Sequence, residues 1–250
     1  MLKHLWAGAF GGVLIVAITA TRLWWPEDAG LARYDALFLI ALATQGVFLL
    51  LRLETLSELW VILAFAALGL GMELFKVAAG SWAYPEPGRL ALGEVPLFVG
   101  FMYAAVGLCI VRMMRIFEMT FSPFPAPVWN LALAAAIYVN FFTMHAAPDL
   151  RYPLMALSLW AWGPTWIGFR AFGARRHMPL LLSFLCAATG VWLVENLGTL
   201  TGTWLYAGQA PGEMVSLATL GSWYLFLCVA LALAMTLTGR DRALPDAVRT

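Results

Sequence analysis

Two glutamates set the chemical possibilities of this chain, because each sits inside a long apolar run and each is followed, at the same distances, by the same residue types. Glu73 precedes Gly80, Ser81, Trp82 and Tyr84, and Glu195 precedes Gly202, Thr203, Trp204 and Tyr206. The second pattern follows the first by 122 positions, close to half of the 250-residue chain. A carboxyl group in an apolar setting beneath an aromatic rim can exchange a proton with a substrate, hold a polar ligand group, or couple protons to transport. At membrane depth such a residue costs about 2.5–3.5 kcal/mol on insertion scales, which makes both glutamates functional candidates.

Helical spacing shows what they face. Gly69, Glu73, Lys76 and Gly80 fall on one side of a helix, and Val191, Glu195, Gly198 and Gly202 repeat the arrangement. Small residues on that side permit close helix contact, so both carboxylates are expected to face protein rather than lipid. Along the helix each lies about 10 Å below its glycine and tryptophan. Lys76 offers Glu73 an ion pair, whereas the polar companions of Glu195 are Asn196 and Thr199. Glu73 and Glu195 are therefore the acid/base candidates. Trp82, Tyr84, Trp204 and Tyr206 form the rim of a substrate pocket, with Lys76, Glu86 and Asn196 as further binding candidates. His145, near Tyr138, Asn140 and Asp149, is a third acid/base candidate, although a lone histidine at a helix end also serves as a cap or interfacial group.

The elements that must position these residues are membrane helices. Sixty-two per cent of the residues are hydrophobic and 12% are charged, with a mean hydropathy of +0.82, far from the composition of a soluble domain. Apolar runs long enough for about 30 Å of hydrocarbon cover residues 5–23, 36–51, 59–79, 95–113, 127–145, 152–169, 179–200 and 215–237. The run 152–169 contains Pro153 and Pro164. The expected fold is an all-α bundle of about eight transmembrane helices in a single integral membrane domain, residues 1–250. It is made of two tandem four-helix repeats in parallel orientation, approximately 1–118 and 119–240. Arg33-Tyr34 and Arg151-Tyr152, offset by 118, extend the repeat.

Charge placement then orients the bundle. Lys3, Arg52, Arg112, Arg115, Arg170, Arg175, Arg176, Arg240, Arg242 and Arg249 share one side, against Arg22, Arg33, Lys76, Arg89 and Arg151 on the other. This bias places both termini in the cytoplasm and opens the glutamate site outward. A net charge of +1 argues against a nucleic-acid surface, and residues 170–177 read as a short loop that sets topology or contacts lipid head groups. Cys109, Cys186 and Cys228 lie in apolar runs without paired spacing, so neither a disulfide framework nor a metal or cofactor is expected.

From Arg33 to Trp223 the chain resembles the bacterial domain of unknown function 817 family, the YoaT-like polytopic membrane proteins. The carrying segments are RYDALFLIALA, LETLSELWVI, ELFKVAAGSWAYPEPG, VPLFVGFMYAAVG, AIYVNFFTMHAAPDLR and MPLLLSFLCAATGVWLVENLGTLTGTWLY. The resemblance implies a multi-pass protein of the bacterial inner membrane and assigns no activity. A second resemblance, to small membrane lycopene cyclases and related carotenoid-modifying proteins, rests on Glu73, the Gly80-Ser81-Trp82-Ala83-Tyr84 element and Glu94-Val95-Pro96. Leu97-Phe98 stand where those cyclases place paired acids. It implies acid/base chemistry on a polyene, for which a neutral carboxylic acid in a dry pocket and aromatic faces for a carbocation are required.

Three functions fit these residues. The first is binding, or acid/base modification of the cyclisation or hydration type, of an isoprenoid, carotenoid or other long lipid. The second is proton-coupled secondary transport, and the third is a non-catalytic role with protein partners in a larger membrane complex. The partner common to all three is the lipid bilayer.

Overall fold

The computed structural model describes residues 6–26, 28–210 and 212–239; Lys3, Glu27, Arg240, Asp241, Arg242, Asp246 and Arg249 lie outside them. The described residues are mostly helical. The helices are α1 (Ala9–Trp24), α2 (Arg33–Leu50), α3 (Leu56–Ala78), α4 (Phe98–Ile116), α5 (Pro127–Thr143), α6 (Arg151–Trp162), α7 (Leu180–Leu200) and α8 (Leu217–Leu237). Five of them, α2, α3, α4, α7 and α8, are long and apolar enough to cross a membrane, and α1 and α5 are shorter apolar helices. Local chemistry sets several starts. Thr55 and Glu58 form a reciprocal capping box at α3, Pro127 occupies the first turn of α5, and Ser216 caps α8 by accepting from Thr219 N.

The outward-facing side chains identify the solvent as lipid. Trp24, Trp60, Trp129 and Trp160 are all more than 70% exposed, each within the first or last turns of its helix, where indole rings collect at the membrane–water boundary. Leu157, Leu185 and Leu193 are exposed between such ends. The chain is a multi-pass membrane protein.

Two sequence expectations are corrected. The run 152–169 is not one span: α6 stops at Trp162, and its 12 residues reach only about 18 Å. Gly163 and Pro164 follow, and Pro164 has no backbone N–H to extend the helix. The mostly helical chain also carries strands where a loop was expected. Trp166–Ala171 (β5) and Ala174–Pro179 (β6) form a hairpin, so residues 170–177 are ordered strand rather than a loop, with β4 (Thr120–Ser122) as a third antiparallel strand. A continuous apolar stretch does not distinguish helix from buried strand by periodicity, and this one held Ile167 and Phe169 beside a Phe172-Gly173 turn. Four short strands complete the inventory: β1 (Trp82–Ala83), β2 (Ala91–Leu92), β3 (Val95–Pro96) and β7 (Leu205–Tyr206).

The chain forms two compact units, Met1–Cys109 with Leu193–Val215, and Ile110–Trp192 with Ser216–Thr250. The core of the first is built on Phe10, Leu14, Ala41, Ile62, Ala104 and Leu108. Gly107 there admits the Phe65 ring, which a Cβ would approach to 2.5 Å. In the second, Trp162, Phe184 and Tyr224 stack edge to face, and the Tyr224 hydroxyl meets Ser158 Oγ at 2.9 Å. Without a hydrophobic drive between helices in lipid, close packing and buried hydrogen bonds of this kind hold the elements together.

Candidate functional site

Both signature segments belong to the first unit, and the backbone folds each in the same way. After α3, Gly80 adopts φ +70° and Ser81 N bonds Lys76 O at 2.9 Å. After α7, Gly202 adopts φ +62° and Thr203 N bonds Gly198 O at 2.9 Å. The left-handed glycine reverses the chain and satisfies a helix-end carbonyl. The two extended tails then pair, β1 antiparallel to β7, with Trp82 opposite Tyr206 and Ala83 opposite Leu205. Ala83 and Leu205 occupy the same place in their respective copies, so the pairing is self-complementary about that pair.

This reversal brings the aromatic tips down onto the carboxylates. Trp82 Nε1 donates to Glu73 Oε2 at 2.6 Å and the Tyr84 hydroxyl to the same oxygen at 2.8 Å. Trp204 Nε1 and the Tyr206 hydroxyl donate to Glu195 Oε2 at 3.1 and 2.6 Å. Helical rise alone separated the glutamates from their rim, but the returning tails make direct contact. The Trp82 and Tyr206 rings meet edge to face at 5.7 Å. Both glutamates are buried, 5% and 7% exposed. Burial first, then the nearby carboxylates, hold the Tyr84 and Tyr206 phenols well above their ordinary pKa, so both stay protonated donors at neutral pH.

The two centres differ in one respect. Glu73 Oε1 accepts from the Tyr103 hydroxyl of α4 at 2.7 Å. Glu195 Oε1 accepts no hydrogen bond among the described residues and is not sealed from the surface. Gly69 makes the difference possible, since a Cβ there would come within 2.2 Å of Tyr103 Cγ, and the residue matching Gly69 in the second copy is Val191. Gly198 plays a related part for Trp204, whose ring would lie 1.9 Å from a Cβ.

A second polar layer lies at the start of α2. Arg33 Nε donates to Glu86 Oε2 at 2.7 Å and Arg33 Nη2 to Thr203 Oγ1 at 3.3 Å. The Tyr34 hydroxyl donates to Thr203 O at 2.7 Å, and Asp35 accepts from the Arg89 and Leu90 amides. Arg33 Nη1 is buried with no hydrogen-bond partner. The sequence marked Glu86 but missed Tyr103, Arg33 and Thr203 as members. In the sequence Arg33-Tyr34 reads as a mark of the repeat and Arg33 as part of the charge bias, and the counterpart pair does other work: Arg151 pairs with Asp149 at 3.3 Å and Tyr152 is 72% exposed. Lys76 is buried on α3, and Asn196 Oδ1 accepts from Val215 N at 2.8 Å. His145 lies exposed beyond α5, in the second unit.

Comparison with known proteins places the chain. Residues 1–231 match the family described as Protein of unknown function (DUF817), and the chain belongs to it. It is 39% identical over 208 residues to the protein YoaT of Bacillus subtilis (strain 168), which covers 83% of this chain and 79% of that one. Among solved structures it is similar to MvINS, a mycobacterial Insig homolog from Mycobacterium vanbaalenii, and to a cross-linked MvINS trimer. Each has a TM-score of 0.51 and 16% identity, covering 75% of this chain and 96% of that one. At that identity the likeness concerns the fold.

Proposed function

We propose that this member of the DUF817 family binds an isoprenoid or other long lipid bearing a hydroxyl or similar polar group, with Glu195 at the polar end of the site. The observation that carries the reading is the open Oε1 of Glu195, which accepts no hydrogen bond among the described residues although the residue is only 7% exposed and its other oxygen is held by an indole and a phenol. A carboxylate oxygen in a largely buried residue gains from a donor, and a ligand hydroxyl reaching this accessible oxygen would supply one. Arg33 Nη1 supplies an unpartnered donor on the same stretch of chain, through Thr203. The apolar surroundings suit a chain-like tail. Glu73, engaged by three donors, is the structural member of the pair. If the bound lipid is also modified, Glu195 is the group that can present a proton to it, with Trp204 and Tyr206 stabilising positive charge. The bacterial inner membrane, with both termini cytoplasmic and the site opening outward, is the setting this reading assumes.

Lipid extraction and mass spectrometry of the purified protein test it. A lipid enriched over the bulk membrane should leave with the wild type and with Tyr138→Phe, and be depleted at least about tenfold in Glu195→Gln, the scale of one lost charge-assisted hydrogen bond. A wild-type lipid profile equal to that of the surrounding membrane would overturn it.

A further inference from the structure

The second unit carries an arrangement that the glutamate site does not use. In the β5–β6 hairpin Arg170 lies directly opposite Arg175, and Gly168 opposite His177. Cross-strand partners and alternate residues share a face, so Trp166, Arg170, Arg175 and His177 stand on one side of the sheet, joined by Thr120 of β4 opposite Gly168. Like charges placed directly opposite are destabilising. Arg170 has Glu118 at 3.5 Å, but both side chains are more than half exposed, where an ion pair contributes little. Arg175 is held in place instead. Its Nη2 donates to Thr120 Oγ1 at 2.8 Å, across Gly168, where a Cβ would come within 2.7 Å of Thr120 Oγ1 and 3.3 Å of Arg175 Nη2. Glycine is therefore what lets this guanidinium lie over the strand. The remaining donors of Arg175 have no partner among the described residues.

We propose that this face of the hairpin binds the phosphate of an anionic phospholipid head group. Two arginines directly opposite each other on one face, one oriented by a threonine and with donors to spare, match a phosphate that accepts several charge-assisted hydrogen bonds and removes the repulsion between them. Location selects lipid over free phosphate. β6 runs straight into α7, a helix long and apolar enough to cross a membrane. The Arg175 guanidinium lies over Gly168, two residues beyond Trp166 and about 7 Å along the strand, comparable with the thickness of one head-group layer. Trp166 is half exposed on the same face, the position of an interfacial anchor. Arg176, opposite Phe169 and exposed, belongs to the other face and provides an internal control of equal charge.

The full-length protein in nanodiscs of mixed phosphatidylcholine and phosphatidylglycerol tests this, read by native mass spectrometry of the lipids retained on release. Wild type and Arg176→Gln should retain phosphatidylglycerol selectively, and the double variant Arg170→Gln/Arg175→Gln should lose that selectivity by roughly tenfold or more, as expected for two interfacial arginines. Gly168→Ala, which keeps every charge but displaces Arg175, should weaken retention as well. Unchanged elution and circular dichroism show that each variant is folded. Equal loss in Arg176→Gln would mean that only net charge matters and would overturn the proposal, as would absence of selectivity in the wild type. Inorganic phosphate that abolishes lipid retention and itself stabilises the wild type, but not the double variant, would assign the site to free phosphate and overturn the lipid source.

Discussion

Glu73 and Glu195 carry the same side chain in the same local fold, yet their hydrogen bonds assign them different tolerances. Glu73 offers no free acceptor position: an amide nitrogen in place of either oxygen would meet a donor from Trp82, Tyr84 or Tyr103. Glu195→Gln can turn its nitrogen to the open Oε1 position and keep both aromatic donors. Glu73→Gln should therefore cost about 1–3 kcal/mol and Glu195→Gln less than ~1 kcal/mol, seen as a larger drop in melting temperature for Glu73→Gln. The reverse order would show that the third donor, Tyr103, does not secure Glu73. The phenols make a second prediction. Tyr84 and Tyr206 have folded-state pKa values well above the unfolded value, so the folded state binds more protons at alkaline pH. Their stabilisation is complete below the unfolded phenol pKa of about 10 and is lost as pH rises from there through the folded value. Melting temperature should be flat through neutral pH as far as these groups are concerned and fall above that point, less steeply in the Tyr84→Phe/Tyr206→Phe double variant. An alkaline limb unchanged by the double variant would assign it to other groups.

At the scale of elements, the glycines of α3 and α7 are not interchangeable. Gly198 is where Trp204 lies against its helix, and a Cβ would overlap the ring at 1.9 Å. Gly190, on the same helix, has nothing within 4 Å. Gly198→Ala should destabilise and displace Trp204 from Glu195, changing the environment of the indole, whereas Gly190→Ala should be neutral or gain up to about 1 kcal/mol from helix propensity. Tryptophan fluorescence and thermal unfolding of the two variants check this, and equal effects would mean the ring has room to move. The hairpin shows the opposite limit of local reasoning. Trp166–Ala171 has the apolar content of a span, and only its pairing with β4 and β6 selects strand.

For the whole molecule, the charge bias makes a topological prediction: both termini cytoplasmic, and the segment 84–94 on the outer side. Reporter fusions after Leu237 and within 84–94 should report opposite compartments. The same compartment for both would break the outward-facing setting of the glutamate site. α6 bears on this count, because its length is insufficient for a span alone and the chain returns through a hairpin before α7. The repeat is a related proposal. It is supported by equal hydrogen-bond wiring in the two copies and by the self-complementary β1–β7 register, while the extra bond from Tyr103 and the different roles of Arg33 and Arg151 mark how far the copies have diverged.

The sequence by itself determined that this is a membrane protein of apolar helices and that two equally spaced Glu-to-Tyr segments end two of them. Both follow from local quantities, composition and residue spacing, which survive without knowledge of what packs where. Seven of the eight runs coincide with helices to within a few residues for the same reason. Which donors reach each carboxylate was decided only by tertiary structure. Tyr103 is 30 residues from Glu73 in sequence, Thr203 is 170 from Arg33, and β7 meets β1 across about half of the chain. Contacts of that range depend on helix ends reversing at Gly80 and Gly202 and on Gly69 leaving space for a ring. A linear pattern contains the glycines, but only the fold states what they make room for.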